Sequence, residues 1–551
     1  MKFASLKQLS LDHTWDAIVI GSGIGGLATA ALLSSHAHKR VLVLERHYVA
    51  GGYTHVFHRP GYEWDVGLHY IGAVQNEESM VRRGFDLITD AQLKWAPMPD
   101  IYDRFVIGER TYDFPTGVER FRDRMKDYFP QDGAAIDKYI GAVQAVHKAT
   151  EPFFAEKAIP RPIAYLLGGL MRAPFLRWAN RTTADVLRGL TRNDELIGVL
   201  AAQWGDYGLP PGQSSFGMHA MVANHYFEGA SYPVGGASRI AQTVNSVIER
   251  GGGKIVVNAE VAEILQDGQK AVGVRMSDGR EFRAETIISD AGARNTYERL
   301  ISRTNPALDK LRTEMRAIPP STAHLCLYVG VKESAADLGI SGTNLWIHPT
   351  YDHDANAAGA IVGSAYRFPS LYISFPSAKD PDFERRHPGR ATIEAVALVP
   401  YRRFEQWQET SWRRRGPDYN AFKQELSIRL QNELERRVPA ISGKIDYAEL
   451  STPLSTRHFM NYERGESYGL SATPKRFRLR CLTPRTPIRN LYLTGQDVVS
   501  LGVTGALLGG VVTASAILRR NLMATLSKPA SKRMAVNRAN RRAPEKQPAM
   551  A

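Results

Sequence analysis

Three glycines near the start of the chain have the spacing that a dinucleotide-binding loop requires. Gly21, Gly23 and Gly26 fit the pattern G-x-G-x-x-G. The first glycine permits a tight turn, the second lets a pyrophosphate approach the backbone, and the third lets a helix pack closely against a strand. Free N–H groups at the start of that helix face the phosphates. The predicted phosphate-binding loop comprises Gly21, Ser22, Gly23, Ile24, Gly25 and Gly26.

The segments on either side predict the strand–loop–helix–strand unit that such a site needs. Ala17–Ile20 is a short apolar run typical of a buried strand, and a helical pattern begins at Leu27. A second strand ends in Glu45, which lies 19 residues after Gly26. That distance is near the one expected for an acid that binds a ribose hydroxyl. In this context we interpret the glycines as a ligand site rather than as a turn without a ligand.

The residues after Glu45 carry a resemblance to a known family. Arg46 follows directly, and a glycine pair, Gly51 and Gly52, comes shortly afterwards. An acid followed by a glycine pair resembles the FAD enzymes of the amine oxidase and phytoene desaturase type. It is this resemblance that implies FAD rather than NAD, with Arg46 near the cofactor and the glycine pair as a second close approach to the pyrophosphate.

The next segment narrows the resemblance. Residues 61–72 read Gly-Tyr-Glu-Trp-Asp-Val-Gly-Leu-His-Tyr-Ile-Gly, and the ending resembles retinol saturases and plant carotenoid isomerases. The resemblance implies that Asp65 and Gly67 help to place this loop beside the isoalloxazine ring. His69 and Tyr70 are then the candidate catalytic residues near a reacting polyene. The alternative for His69 is a hydrogen-bonded structural histidine.

Two later segments resemble the cofactor motifs of the same family, in the same order. By this resemblance Val261 places its backbone against the adenine. Residues 490–497 end in Thr-Gly-Gln-Asp and resemble the C-terminal flavin motif of phytoene desaturases. Gly495 belongs to this motif, and Asp497 would meet the ribityl chain or the pyrophosphate. The residues that would pass close to the isoalloxazine are Gly502, Val503 and Ala506.

The resemblance implies an α/β fold. We expect an FAD-binding Rossmann-type domain, like that of phytoene desaturases and amine oxidases, interleaved with a sheet-and-helix substrate domain. Within the substrate domain, apolar spacing predicts one helix over residues 118–150. The expected segments are 12–75, 231–299 and 451–522 for the FAD-binding domain, 76–230 and 300–450 for the substrate domain, and 523–551 for a disordered basic tail.

Cysteine usage and charge exclude several classes of protein. The two cysteines, Cys326 and Cys481, are far apart, which argues against a metal site, a disulfide framework or a C-x-x-C redox pair. The net charge is +14, and residues 519–551 hold nine lysines and arginines and one glutamate. This tail is either solvated or attracted to anionic lipid head groups. No nucleic-acid module accompanies it, so we expect no nucleic-acid partner.

Two apolar segments bear on membrane contact. Residues 498–518 are uncharged and long enough to span a bilayer, but their glycines favour a helix packed beneath the cofactor. Residues 159–178 are apolar, interrupted by prolines and fringed with arginines. They fit an interfacial membrane contact, a lid over an apolar tunnel or a pair of core helices. We expect no signal peptide and no transmembrane helix, and therefore a cytoplasmic protein with peripheral membrane contact.

The expected function follows from the resemblance. It implies an FAD-dependent oxidoreductase that transfers hydride to or from a carbon–carbon bond of an apolar, retinol- or carotenoid-like polyene. The stretches 68–72 and 374–380 favour a saturase. A carotenoid desaturase or isomerase, or an enzyme acting on unsaturated fatty acyl chains, is the alternative. A flavin amine oxidase and a non-enzymatic lipid-binding relative are less favoured.

Two further expectations concern the electrons and the substrate channel. Since no separate NAD(P) domain is evident, electrons would come from NAD(P)H binding transiently or from an unidentified protein partner. We also predict a channel without charged pairs, because an apolar chain is held by apolar walls.

Overall fold

The computed structural model describes residues 3–9, 14–301, 305–359 and 368–526. Among these residues an eight-stranded sheet, here the first sheet, carries the glycine loop. Its central strands pair in parallel and are almost fully buried, which explains their continuous apolar sequence. In spatial order the strands are Ala4–Ser5, Lys254–Val257, Val41–Leu44, Trp15–Ile20, Glu281–Ser289, Lys270–Met276 and Val261–Asp267, with Leu491–Leu493 pairing with Glu281–Ser289.

Two helices lock the glycine loop against the end of the chain. The glycine-loop helix, Ile24–Ala37, begins within the loop and is buried along most of its length. The small-residue helix, Gly502–Leu518, crosses it closely, and a Cβ on Gly510 would lie only 2.6 Å from the Cβ of Ala28. The uncharged segment 498–518 therefore ends in a buried helix that packs on the glycine-loop helix. This agrees with the prediction of a packed helix rather than a membrane span.

The described residues also form a seven-stranded, mainly antiparallel sheet, here the second sheet. Smaller sheets join Ile71–Gly72, Ala230–Pro233 and Trp95–Pro97, and join Val56–Arg59 to Tyr62–Asp65. The strands of the second sheet are, in spatial order, Ile445–Ser451, Ala323–Val331, Ala391–Val399, Leu371–Ser374, Asn344–His348, Ile101–Ile107 and Arg110–Pro115.

The register of the second sheet brings polar residues together. Asn344 lies opposite Asp103 in a parallel pair, and Ser374 lies opposite Glu394 in an antiparallel pair. All four are fully or almost fully buried. Buried polar groups need hydrogen-bond partners, so these pairs mark a polar site within an otherwise apolar sheet.

The helix predicted over residues 118–150 is wrong in one respect. It is two helices, Val118–Tyr128 and Gly133–Ala155, joined by a short 3-10 turn at Pro130–Asp132. A proline disfavours helical geometry at the residue before it, and Phe129 ends the first helix in a non-helical conformation. The other helices of eight or more residues are Met80–Thr89, Arg161–Ala179, Asp194–Ala201, Phe216–Phe227, Arg239–Arg250, Asp309–Arg316, Pro417–Arg437 and Pro453–Met460.

The apolar segment 159–178 forms a single exposed helix, Arg161–Ala179, here called the surface helix. Leu166 and Leu170 are each 78% exposed, so this segment is not a pair of core helices. Across the described ranges we find no helix that combines the length and the hydropathy needed to cross a membrane. The predicted basic tail lies, from residue 527 onward, outside the described residues.

Candidate active site

A cavity of about 670 Å³ extends from the glycine loop to Tyr70. This volume is within the range usual for ligand sites. Glu45, Arg46 and Val261 line one part of it, and His69 and Tyr70 line another. The other predicted site residues that line it are Gly21, Gly23, Ile24, Gly25, Gly51, Gly52, Gly67, Asp497, Gly502, Val503 and Ala506.

Ser22 explains how the glycine loop and the glycine pair are held together. Its backbone N–H and its hydroxyl both donate to Glu45 Oε2, at 2.9 and 2.7 Å, and its Oγ accepts from Gly51 N at 2.9 Å. Glu45 Oε1 also accepts from His47 N at 2.7 Å. Ser22 thus lies behind the cavity wall as a connector, while the Glu45 carboxylate is fixed at the wall itself.

Close backbone contacts account for several of the glycines. A Cβ on Gly25 would collide with Gly495, and a Cβ on Gly23 would collide with the Asp290 carboxyl. Gly21 has a φ of +97°, a left-handed conformation that favours glycine. The Asp290 carboxyl accepts from the backbone N–H groups of Gly23 and Gly26, so these N–H groups converge on an acceptor oxygen. A glycine loop that presents its N–H groups in this way fits a dinucleotide pyrophosphate, which would take the place of that carboxyl.

Asp290 is a site residue that sequence reasoning missed. It follows the strand Glu281–Ser289, donates its N–H to Ile20 O at 2.8 Å, and lines the cavity beside the glycine loop. Burial raises the pKa of its carboxyl to about 8, and the neighbouring Glu45 and Asp497 carboxylates act in the same direction. The signal available in the sequence was its position at the C-terminal end of a buried parallel strand, where ligands of such sheets bind.

Asp497 lines the cavity from the C-terminal motif. Its Oδ2 accepts from Ala293 N at 2.7 Å, and its Oδ1 lies 3.6 Å from the guanidinium of Arg476. Gly495, with a φ of +83°, lies behind the wall, where it contacts the glycine loop. The C-terminal motif thus reaches the same cavity as the N-terminal loop.

Tyr70 lies between the buried carboxyl group of Asp103 and the partly buried carboxyl group of Asp206. Its hydroxyl is 3.0 Å from Asp103 Oδ2 and 3.1 Å from Asp206 Oδ2. A phenol has one proton, so it can donate to only one carboxylate, and the other carboxyl must itself carry a proton to complete a second hydrogen bond. Burial raises the pKa of Asp103 to about 6 and raises the pKa of Asp206 well above its usual value. Protonation of one of the pair is therefore favoured.

The carboxyl beside Tyr70 is fixed by neighbouring amides. Asn344 Nδ2 donates to Asp103 Oδ1 at 2.8 Å, and Gln203 Nε2 donates to its Oδ2 at 3.3 Å. The Tyr70 ring stacks on Tyr226, with ring centroids 4.5 Å apart, and on Tyr372 at 6.2 Å. The Tyr70 hydroxyl is held at a defined point of the cavity wall.

His69 belongs to a second group of ionisable residues beside the cavity, here called the charged cluster. Its other members are Asp65, Lys379 and Glu394. His69 Nδ1 lies 2.7 Å from Glu394 Oε2, and Lys379 Nζ donates to the His69 carbonyl oxygen at 3.1 Å. Burial raises the pKa of Glu394 to about 8 and lowers that of His69 to about 3. His69 is therefore neutral at pH 7.

The rest of the charged cluster lies behind the wall. Asp65 donates its N–H to Glu394 Oε1 at 2.7 Å and accepts from Tyr232 Oη at 2.6 Å. Lys379 also donates to Ser374 Oγ at 2.7 Å and to Asn344 Oδ1. Through Asn344 the cluster connects to the carboxyl pair at Tyr70. Asp65, predicted beside the cofactor, does not line the cavity but supports the residues that do.

The channel was predicted to lack charged pairs, and the contact between His69 and Glu394 is not one, because His69 is neutral. The wall near Tyr70 is nevertheless less apolar than that prediction implied, since the His69 imidazole and the Asp206 carboxyl both line it. Apolar side chains do form much of the remaining wall, among them Phe154, Met218, Met221, Val222 and Leu398. The cavity thus combines an apolar wall with a polar, proton-bearing centre at His69 and Tyr70.

The glycine-loop segment matches a family model described as an NAD(P)-binding Rossmann-like domain, over residues 19–83. Among solved structures, cyclohexylamine oxidase from Brevibacterium oxydans IH-35A aligns with a TM-score of 0.58 at 16% identity, over 94% of this chain and 99% of that one. This likeness concerns the fold. It confirms the predicted α/β Rossmann-type architecture of the amine oxidase kind.

Curated proteins match over most of the chain. All-trans-retinol 13,14-reductase from Danio rerio is 37% identical over 526 residues, which cover 92% of this chain and 86% of that protein. A Danio rerio protein named inactive all-trans-retinol 13,14-reductase is 31% identical, over 92% of this chain and 86% of that one. Prolycopene isomerase 1 from an Oncidium hybrid cultivar is 24% identical, over 90% of this chain and 83% of its own.

Proposed function

The chain belongs to the all-trans-retinol 13,14-reductase family of oxidoreductases, and from this premise we propose that it is an FAD-dependent enzyme that saturates a carbon–carbon double bond of an apolar polyene. The observation that carries the proposal is a 37% identity that spans 92% of the chain, together with a cavity that joins the dinucleotide loop to Tyr70. The substrate class we propose is a retinol- or carotenoid-like polyene.

The cofactor proposal rests on the residues of the wall. The N–H groups of the glycine loop would bind the pyrophosphate, Glu45 a ribose hydroxyl, and Val261 the adenine. Asp497 would contact the ribityl chain or the pyrophosphate. When bound and reduced, FAD supplies a hydride to one carbon of the double bond. NAD(P)H binding transiently is our proposed source of the electrons.

The proposed task of this chain's own residues is to hold the polyene and to deliver a proton. Hydride addition leaves a carbanion-like carbon that must be protonated, and Tyr70 is the residue we propose as the donor. The carboxyl pair Asp103 and Asp206 would return a proton to the phenolate, since one of the pair carries it. His69 is neutral and faces Glu394, so we propose it as a positioning residue of the loop.

The test of this function uses the reduced protein without oxygen. Dithionite-reduced enzyme is mixed with retinol, a carotenoid or a polyunsaturated fatty acid, and the flavin absorbance and the product double bonds are followed. We expect one polyene to reoxidise the flavin with loss of one double bond. Because one similar protein is named inactive, this measurement is made on this chain itself.

Each other outcome points to a different assignment. Isomerised product with the flavin still reduced would favour the isomerase alternative, for which the prolycopene isomerase similarity is the supporting observation. Amine turnover with peroxide release would instead indicate an amine oxidase. Purified protein that takes up no FAD would contradict the cofactor proposal.

A pH prediction follows from Asp290. Its neutral carboxyl lies beside the proposed pyrophosphate site, and its pKa of about 8 means that it becomes an anion as the pH rises past that value. FAD affinity should therefore fall roughly tenfold between about pH 7 and about pH 9, because binding favours the protonated form. Titration of the deflavinated protein with FAD, followed by fluorescence quenching, measures this.

Asp290→Asn is the matched variant for this prediction. The amide keeps the shape and stays uncharged, so its FAD affinity should be flat over the same pH range. An equal decline in both proteins would assign the pH dependence to another group and contradict the role given to Asp290.

A further inference from the structure

The surface helix exposes an unusual amount of large apolar surface. Seven large hydrophobic side chains are exposed among the described residues. Five of them lie on this one helix: Ile163, Tyr165, Leu166, Leu167 and Leu170. Four of these are spaced i, i+3, i+4 and i+7, so they share one face, here the apolar face. A contiguous exposed apolar face of this kind marks an interaction site.

The opposite side of the same helix is firmly held. Phe175 is buried against Phe153, with ring centroids 4.4 Å apart. The buried Arg172 guanidinium donates to Phe477 O at 2.8 Å and lies 3.8 Å from Glu156. Just before the helix, Lys157 Nζ donates to Val498 O at 2.6 Å. The helix is therefore anchored by buried side chains, which favours a fixed docking surface over a lid that swings open.

Basic side chains flank the apolar face. Arg177 is exposed on the last turn of the surface helix, and the short helix Pro474–Arg478 packs beside it. Arg478 Nε donates to Asn180 Oδ1 at 2.8 Å, which places further basic residues next to the same end. The exposed basic residues in this part of the surface are Arg177, Arg181, Lys475, Arg478 and Arg480.

The other end of the surface helix has the same charge. The Arg485 guanidinium donates to Ala158 O at 3.0 Å and to Ala516 O at 2.9 Å. This bridge brings the end of the small-residue helix, where Arg519 and Arg520 are exposed, close to the start of the surface helix. An apolar face flanked by cations at both ends is complementary to an anionic bilayer, which offers hydrocarbon at the centre and phosphates around it.

The surface helix also lies directly behind the apolar part of the cavity. It packs on the helices Gly133–Ala155 and Phe216–Phe227. These two helices contribute Phe154, Met218 and Met221 to the cavity wall. One layer of helices thus separates the apolar face from the cavity.

We propose that the apolar face docks on an anionic membrane surface and that the enzyme takes its apolar substrate from that bilayer. The second half of the proposal rests on the proposed function, whereas the docking itself does not. Polyenes dissolve in the hydrocarbon layer, so a docked enzyme would meet them there at a much higher concentration than in water.

Vesicle flotation of the full chain tests the docking. We expect flotation with vesicles of phosphatidylcholine and phosphatidylglycerol and much weaker flotation with phosphatidylcholine alone. The variant Leu166→Asp/Leu170→Asp should lose at least tenfold in apparent affinity, and the milder Leu166→Gln/Leu170→Gln should lose less. Far-UV circular dichroism and thermal midpoints confirm that both variants fold.

Ile428→Asp is the matched control. Ile428 is 49% exposed on the distant helix Pro417–Arg437, so the same change there should leave binding as in the parent. Undiminished binding by the double aspartate variant would overturn the proposal. Because every variant keeps the basic tail, that result would mean that the vesicles are bound without the apolar face. A change from dimer to monomer in that variant, without an effect on vesicles, would reassign the face to a second copy of this chain.

The substrate route has its own readout. Reduced enzyme is mixed with the polyene either in detergent micelles or in the anionic vesicles, and flavin reoxidation is timed. The double aspartate variant should match the parent with micelles and be at least fivefold slower with vesicles. Equal rates in both formats would overturn the membrane route, whereas no reoxidation of the parent in either format would contradict the proposed function and leave the flotation result standing.

Discussion

Replacing Tyr70 by phenylalanine is expected to slow substrate reduction by roughly two to four orders of magnitude, the usual contribution of a positioned general acid. The Tyr70 hydroxyl lies 3.0 Å from Asp103 Oδ2 and 3.1 Å from Asp206 Oδ2, at the wall of the cavity. Phenylalanine keeps the ring stacked on Tyr226 but removes the hydroxyl through which this pair would pass a proton to the substrate. Single-turnover reoxidation of the reduced flavin measures the loss.

The control for this experiment is Tyr372→Phe. Tyr372 stacks beside Tyr70 at 6.2 Å and also lines the cavity, but its hydroxyl does not join Tyr70 to the two carboxyls. Its loss should slow reduction only a few-fold. Both variants should retain the flavin spectrum and FAD content of the parent. If Tyr70→Phe slows reduction less than Tyr372→Phe does, the proton comes from elsewhere, and His69 becomes the next candidate.

The second large effect concerns stability. Lys379→Met should lower the free energy of unfolding by roughly 1–3 kcal/mol, the cost of leaving buried acceptors without their donor. Lys379 is 4% exposed and is the cation of the charged cluster, where Glu394 and Asp65 are the acids. Methionine has a similar length but cannot donate to the His69 carbonyl or to Ser374 Oγ. Urea unfolding at pH 7, followed by tryptophan fluorescence, measures the change in this free energy from the first unfolding transition.

Two further variants locate the cause. Lys332 is an exposed lysine paired with Asp446 at 2.6 Å, and Lys332→Met should cost no more than about 1 kcal/mol. Adding Ser374→Ala to Lys379→Met should recover part of the lost stability, because it removes a buried hydroxyl oxygen to which the lysine had donated. If the single Lys379 variant unfolds at the same urea concentration as the parent, the buried hydrogen bonds of the lysine contribute no net stability.

The sequence was a good guide to the cofactor half of the site. Gly21, Gly23 and Glu45 follow a local pattern in which strand, loop and helix are adjacent in the chain, so their spacing alone predicts their geometry. The family resemblance added Val261 and Asp497, and both line the same cavity. Local order and a known motif were sufficient there.

The reaction centre could not be predicted in the same way. Lys379 and His69 are 310 residues apart, and Tyr70 reaches Asp206 across 136 residues. Strand register in the second sheet, which places Asn344 opposite Asp103, is what brings these groups together. The spacing of residues in a single sequence does not encode that register. For this reason the sequence predicted an apolar channel at the place where the structure has a polar centre.

The crossing of the glycine-loop helix by the small-residue helix sets the order of events during biosynthesis. Gly25 contacts Gly495 and Ala28 contacts Gly510, so the nucleotide cleft acquires its floor only when the last strand and helix have emerged from the ribosome. At ordinary translation rates roughly 25–100 s separate the synthesis of the two helices. The cleft of the nascent chain therefore stays open during that interval, and stable binding of a dinucleotide belongs to the period after the small-residue helix has packed.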